Sequence, residues 1–150
     1  MRNRCQNIIC LMKLPHLSRR VELDTGMAVL LYTALNTVYQ ELLYRDIDQQ
    51  RWTTPEALSL KPLAKLTQRL QALALMDLQP RSLGKHKPHH LRIAFDEMTT
   101  IRLYYARLLA TLEDNSHDQL LLAGAMGRFH QQSTSLERQI HLMPTGGYRH

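Results

Sequence analysis

A stripe of leucines between residues 62 and 75 constrains the fold of this chain most. Its members are spaced three, four and three residues apart, so they fall on one face of a helix with about 3.6 residues per turn. Leucine favours helices, whereas strands favour β-branched and aromatic residues, and aromatic residues make up only 6% of the chain. We therefore predict a mainly α fold with a small β-hairpin, in one domain of 150 residues. The stripe consists of Leu63, Leu66, Leu70 and Leu73.

Two prolines set the predicted helix boundaries around this stripe. Thr54 as a cap, Pro55 at the first helical position and Glu56 in the first turn together indicate a helix start. Proline disfavours helical geometry in the residue before it, so Lys61 should end that helix ahead of Pro62. The sequence thus predicts a short helix, a tight turn and a second, longer helix that carries the leucine stripe.

The residues after the stripe have the pattern of a β-hairpin. Residues 77–82 read as one strand, and residues 90–95 read as a second strand with apolar residues at every other position. Between them, residues 83–88 form a basic turn. The hairpin therefore follows the longer helix directly.

Further helices are predicted from Asp24, Asp96 and Ser116, each of which can cap a first turn.

Residues 20–41 and 92–113 align without gaps at an offset of 72. An internal duplication would explain this similarity, and so would convergence of two strands that each lead into an Asp-capped helix. Convergence is the simpler explanation because nothing between or after the two segments repeats. Identical positions include Arg20/Arg92, Asp24/Asp96 and Tyr32/Tyr104.

The order of the predicted elements is helix, very short strand (51–53), short helix, tight turn, longer helix, two strands with a basic turn, and a further helix. From Trp52 to Asp96 this order resembles the winged helix-turn-helix domains of MarR-like bacterial transcription regulators, although that family usually has glycine where this chain has Ala74. The resemblance implies a wing over residues 77–95. The chain then divides into a basic N-terminal arm or short strand (1–20), a winged-helix-like core (21–96), C-terminal helices (97–142) and a frayed tail (143–150).

Positive charge is concentrated in two blocks. The net charge is +6: residues 1–20 contribute +5 and residues 52–96 +4, while 21–51 carry −3 and 97–150 carry none. Two basic blocks favour a polyanionic partner, and a surplus that serves only solubility is the alternative. The winged-helix resemblance implies that this partner is double-stranded DNA. The longer helix would then contact the base edges, and the wing would contact the phosphates. The predicted contacts are Lys61, Lys65, Gln68 and Arg69 on the helix and Arg81, Lys85 and Lys87 on the wing.

The last predicted helix has an apolar seam with a heptad-like rhythm. Such a seam can pack against a second copy of itself, and a homodimer would suit DNA binding because two recognition helices read two half-sites. The alternative is that the seam packs against the 97–113 helix of the same chain. The candidate dimer-interface residues are Leu122, Met126, Phe129, Leu136 and Ile140.

The sequence contains no HExxH, no Gly-rich phosphate loop and no GxSxG motif, so we expect binding without catalysis and without a cofactor or metal. Cys5 and Cys10 lack the second pair of ligands that a zinc site needs. The apolar run over residues 8–12 is too short for a signal peptide or a membrane span, which predicts a cytoplasmic protein without membrane contact.

The leading hypothesis is a DNA-binding transcriptional regulator or accessory nucleic-acid-binding factor. The alternative is a protein–protein interaction module, such as an adaptor or assembly subunit, on the same scaffold. The target sequence and any small-molecule effector stay open at this point.

Overall fold

Helices dominate the computed structural model, which describes residues 17–47, 51–78 and 87–142. Within these residues there are five helices and two strands. The predicted mainly helical fold with a small antiparallel β-structure is therefore confirmed. The elements are β1 (Ser18–Leu23), α1 (Met27–Ile47), α2 (Thr54–Leu78), β2 (His89–Ala94), α3 (Phe95–Leu103), α4 (Tyr105–Leu109) and α5 (His117–Leu142).

The two strands come from distant parts of the chain and pair in antiparallel order, with Arg20 opposite Arg92 near the middle of the ladder. In each strand alternate residues are buried, among them Val21 of β1 and Ile93 of β2. Because side chains alternate between the two faces of a strand, the apolar residues of both strands point to one side. The sheet therefore has one buried face and one face in contact with solvent.

This pairing corrects the predicted hairpin. The predicted strand over 90–95 nearly coincides with β2, and among the described residues the partner of β2 is β1. Residues 77 and 78 end α2 instead. Residues 79–86, which hold most of the predicted basic turn, lie outside the described residues. The small sheet is thus built from long-range pairing rather than from a local turn.

α2 is a single helix of 25 residues that runs through Pro62, so continuous helix replaces the predicted break at Lys61 and the tight turn of a helix-turn-helix. A proline inside a helix removes one hydrogen bond and costs about 3 kcal/mol. The lost bond would have gone to the carbonyl of Leu58, and Pro62 itself is buried. The helix in return buries Leu63 and Leu66 completely, and each burial is worth roughly 1.5–3 kcal/mol. Packing therefore outweighs the local preference of proline.

Side-chain caps fix the starts of α2 and α5. Thr53, one residue before the predicted cap Thr54, exchanges hydrogen bonds with Glu56 at 3.1 and 3.3 Å. The bond from the Thr53 backbone N–H is the main cause of the lowered pKa of the Glu56 carboxyl. At the start of α5 half of the predicted capping box is present: the N–H of Gln119 donates to Ser116 Oγ at 3.1 Å, while Gln119 Oε1 accepts from the N–H of Asn115 rather than from that of Ser116.

The core lies where α1, α2 and α5 meet the buried face of the sheet. Trp52 is half-buried at its edge, and its indole N–H donates to the carbonyl of Leu42 at 2.8 Å. Inside the core, the hydroxyls of Ser59 and Tyr104 lie 2.6 Å apart and satisfy each other. None of the helices in the described ranges is long and apolar enough to cross a membrane.

The apolar seam of α5 belongs to the core of its own chain. Four of the five candidate interface residues are at most 1% exposed and pack in one cluster with the leucines of α1 and α2, while Ile140 is half-buried. These four side chains are not available to a second copy, so their assignment to a dimer interface is wrong and the same-chain alternative holds. They are Leu122, Met126, Phe129 and Leu136.

Substitution of Phe129 by alanine tests this packing. Phe129 is 1% exposed, so Phe129→Ala should lower the free energy of unfolding by about 3–5 kcal/mol through the cavity it leaves. Leu120→Ala on the same helix is the control, because Leu120 is 64% exposed and its loss should cost less than about 0.5 kcal/mol. Denaturant titration followed by circular dichroism measures both. Equal effects of the two substitutions would contradict the packing of the seam in the core.

Candidate nucleic-acid interface

The solvent-facing side of α2 carries three of the predicted contact residues. Lys61, Lys65 and Gln68 are all exposed, at spacings of four and three residues. That spacing places them along one stripe of the helix surface. We call these three residues the helix stripe.

Arg69 has a different role from the one predicted. Its guanidinium donates to both carboxylate oxygens of Glu97, at 2.9 and 3.0 Å, and also to the carbonyl oxygen of Arg92. The Glu97 side chain is only 1% exposed, so its charge needs this partner inside the protein. Arg69 is therefore an internal support that joins α2 to β2 and α3, and its assignment as a base-reading residue is wrong.

Of the three predicted wing contacts, the structure describes only Lys87. Arg81 and Lys85 lie outside the described residues. Lys87 is exposed and stands two residues before the start of β2. The neighbouring histidines of β2 point to opposite faces: His90 is exposed, whereas His89 is buried and its Nε2 lies 2.5 Å from Asp77 Oδ1.

The solvent face of the sheet is basic, and sequence reasoning missed it. Arg20 and Arg92 stand directly opposite each other there, followed by the row of Glu22 and His90. All four are exposed. The signal was present in the alternation of charged and apolar residues from Arg20 to Leu23, but residues 1–20 were assigned to an arm or short strand. We call Arg20 and Arg92 the arginine pair.

Backbone hydrogen bonds define the geometry of this pair. The N–H of Phe95 donates to the carbonyl of Leu17 at 2.8 Å, so the cross-strand hydrogen bonds connect odd-numbered residues of both strands. The carbonyls of Glu22 and Arg92 point outward instead and accept from arginine side chains of the flanking helices. Arg20 and Arg92 are therefore a non-hydrogen-bonded pair, the kind in which opposing Cα atoms approach to about 4.5 Å.

Both edges of the sheet are held by arginines from neighbouring helices. On the β2 edge the support is Arg69 of α2. On the β1 edge Arg128 of α5 donates to the carbonyl of Glu22 at 2.8 Å and to the carboxylate of Asp24 at 2.7 Å. The hydrogen bond to Asp24 raises the pKa of Arg128 and engages the carboxylate that was predicted to cap α1. The sheet is thereby fixed on both sides.

Arg69 connects the flank of α2 that carries the lysines of the helix stripe to the strand that carries Arg92. Arg69 directs one flank of α2 toward β2 and α3. Lys65 precedes Arg69 by one helical turn and Lys61 precedes it by two, so both lysines lie toward that same flank. No carboxylate oxygen of a described residue is within 4.0 Å of the side-chain nitrogens of either lysine or of the arginine pair.

No protein-family model, curated protein or solved structure matches the chain. Nothing about its function is therefore transferred from a relative.

The supporting role of Arg69 has a measurable consequence. Arg69→Ala would leave the buried Glu97 carboxylate without its partner and should cost about 3–5 kcal/mol of the free energy of unfolding. Lys65→Ala, one turn away and exposed, should change it by less than about 0.5 kcal/mol. Thermal or denaturant unfolding distinguishes them. A stable Arg69→Ala protein would contradict the assignment of Arg69 as a support.

Proposed function

We propose that the protein binds double-stranded DNA through the helix stripe and acts by binding rather than by catalysis. One observation carries the proposal: Lys61 and Lys65 are exposed on one flank of a rigid helix, with no carboxylate of the described residues within 4.0 Å. Cations left without counter-charges on one surface attract a polyanion. A role as a transcriptional regulator or an accessory DNA-binding factor is the narrower form of this proposal.

The pairing of other cations supports this interpretation. Many arginines elsewhere contact carboxylates and so contribute little to the field outside the protein. The described residues hold 13 Lys and Arg against 12 Asp and Glu, a net charge of +1, so the unpaired cations of α2 and the sheet matter through their position and not through a large net charge. The paired arginines are Arg45, Arg69, Arg102, Arg107 and Arg128.

The shape of α2 also fits a nucleic-acid groove, without requiring a helix-turn-helix. An α-helix fits the major groove of DNA, and a helix of 25 residues is about 38 Å long. Lys61 and Lys65 are separated by about 6 Å along the axis and can contact successive phosphates. Gln68 lies beside them and has the amide group that pairs with adenine.

Salt dependence of binding tests the proposal. The wild-type protein should bind a fluorescent random-sequence duplex with an affinity that falls steeply as salt rises. Lys61→Ala with Lys65→Ala should reduce the slope of log K against log salt by about 1.8, because each phosphate contact contributes about 0.9. Fluorescence anisotropy at several salt concentrations gives this slope.

A matched control separates local contacts from net charge. Gln40→Glu with Arg51→Gln also removes two units of positive charge, at exposed positions away from the helix stripe. This control should leave the slope nearly unchanged. If the wild-type protein fails to bind duplex DNA even at low salt, the proposed function is wrong. If the control lowers the slope as much as the lysine variant, the helix stripe is not the site.

Exposed leucines on the same helix favour protein interaction as the second candidate function. Leu58 and Leu75 are 75% and 56% exposed and flank the helix stripe on either side along α2. An amphipathic helix that presents apolar anchors can dock into the groove of a partner protein. If DNA is the ligand, Leu58→Ser with Leu75→Ser should leave the slope of log K against log salt for DNA unchanged. If α2 binds a partner protein instead, the same double substitution should abolish that binding.

A further inference from the structure

We propose that the arginine pair, Arg20 and Arg92, is a phosphate-binding site that takes one backbone phosphate of a nucleic acid. The inference rests on the proposed function and extends the contact surface from α2 onto the sheet. It assigns a specific ligand group to a part of the surface that the helix stripe does not include.

The first argument is the geometry of the pair. The two residues occupy a non-hydrogen-bonded position of the ladder, so their side chains leave the sheet side by side from Cα atoms about 4.5 Å apart. Each guanidinium presents several N–H donors in a plane and binds phosphate in a bidentate manner. Two such groups side by side can share the oxygens of one phosphate.

The second argument is the absence of an internal partner. Neither guanidinium donates a hydrogen bond or forms an ion pair within the described residues, whereas the neighbouring Arg19 donates to Gln139. Like charges directly opposite each other in a sheet destabilise it. A bound anion would neutralise this repulsion, which gives the pair a physical reason to bind one.

The third argument concerns the neighbouring rows of the sheet face. On one side lie Glu22 and His90, so a carboxylate borders the pair there. On the other side lie Ser18 and Ala94, whose short side chains carry no charge. Successive rows are about 7 Å apart, so a phosphate held by both arginines on the Ser18 side avoids the Glu22 carboxylate.

The fourth argument is rigidity. The backbone under the pair is fixed on one side by Arg69 and on the other by Arg128, through the outward carbonyls of Arg92 and Glu22. These contacts fix the Cα positions from which the two side chains leave the sheet, so only the side chains have to be ordered when an anion binds. The same residue, Arg69, connects the flank of α2 that carries the lysines of the helix stripe to the strand that carries Arg92, so a duplex lying along that flank can contact both.

The test compares three double variants in duplex-DNA binding. Arg20→Gln with Arg92→Gln should lower affinity by tenfold or more in low salt and reduce the salt slope. Arg20→Lys with Arg92→Lys should keep most of the slope but still lose several-fold in affinity, because lysine keeps the charge and lacks the planar pair of donors. Arg19→Gln with Arg51→Gln has the same charge change as the glutamine variant, outside the pair, and should retain near-wild-type affinity.

A comparison of duplex DNA with inorganic pyrophosphate shows whether the arginine pair binds the backbone of a nucleic acid or a free phosphate compound. Arginine side-chain Nε–Hε resonances of Arg20 and Arg92 should shift on addition of duplex DNA at lower concentration than on addition of pyrophosphate. Shifts with pyrophosphate alone, while DNA binds without affecting the pair, would assign the site to a free phosphate compound and overturn the inference.

The outcomes also distinguish this inference from the proposed function. If DNA binds and the lysine variant of α2 weakens it, but the glutamine variant of the pair does not, the phosphate site is wrong and the proposed function stands. If the glutamine variant melts at a lower temperature than wild type with unchanged DNA affinity, the pair is structural and the inference is overturned. If the wild-type protein binds no DNA, the proposed function and the nucleic-acid ligand fail together.

Discussion

One buried ion pair determines how the two halves of the basic surface are arranged. Arg69 of α2 reaches the carboxylate of Glu97 at the start of α3 and the carbonyl of Arg92 in β2. The same carboxylate accepts from the N–H of Ala94 at 3.2 Å. Because a buried carboxylate without its partner is costly, α2 is held beside the sheet. The connection between the flank of α2 that carries the lysines and the strand that carries Arg92 is a consequence of this contact.

Local patterns in the sequence predicted much of the fold. Helical spacing identified the buried leucines of α2, period-two alternation identified β2, and the pairing of Ser116 with Gln119 marked the start of α5. The same reasoning placed Lys61 and Lys65 on a solvent-facing stripe. These features depend on residues a few positions apart, which is why a single sequence reveals them.

Features that depend on distant residues were not predictable in this way. β2 has the pattern of a strand, but nothing local shows that it pairs with β1, about 70 residues earlier in the chain. Pro62 favours a break, and only the packing of the whole helix outweighs it. In the sequence, Arg69 cannot be distinguished from its exposed neighbours, because its ion-pair partner Glu97 is 28 residues away. The arginine pair can be identified only when the register of the two strands is known.

The central claim is that α2 and the solvent face of the sheet form one continuous surface for nucleic acid. Backbone amide chemical-shift mapping with a short DNA duplex tests this claim most directly. We expect perturbations to cluster at residues 61–68 of α2 and at 20 and 90–92 of the sheet, with α1 unaffected. Perturbations confined to one of the two elements, or centred on a different face of the protein, would contradict it.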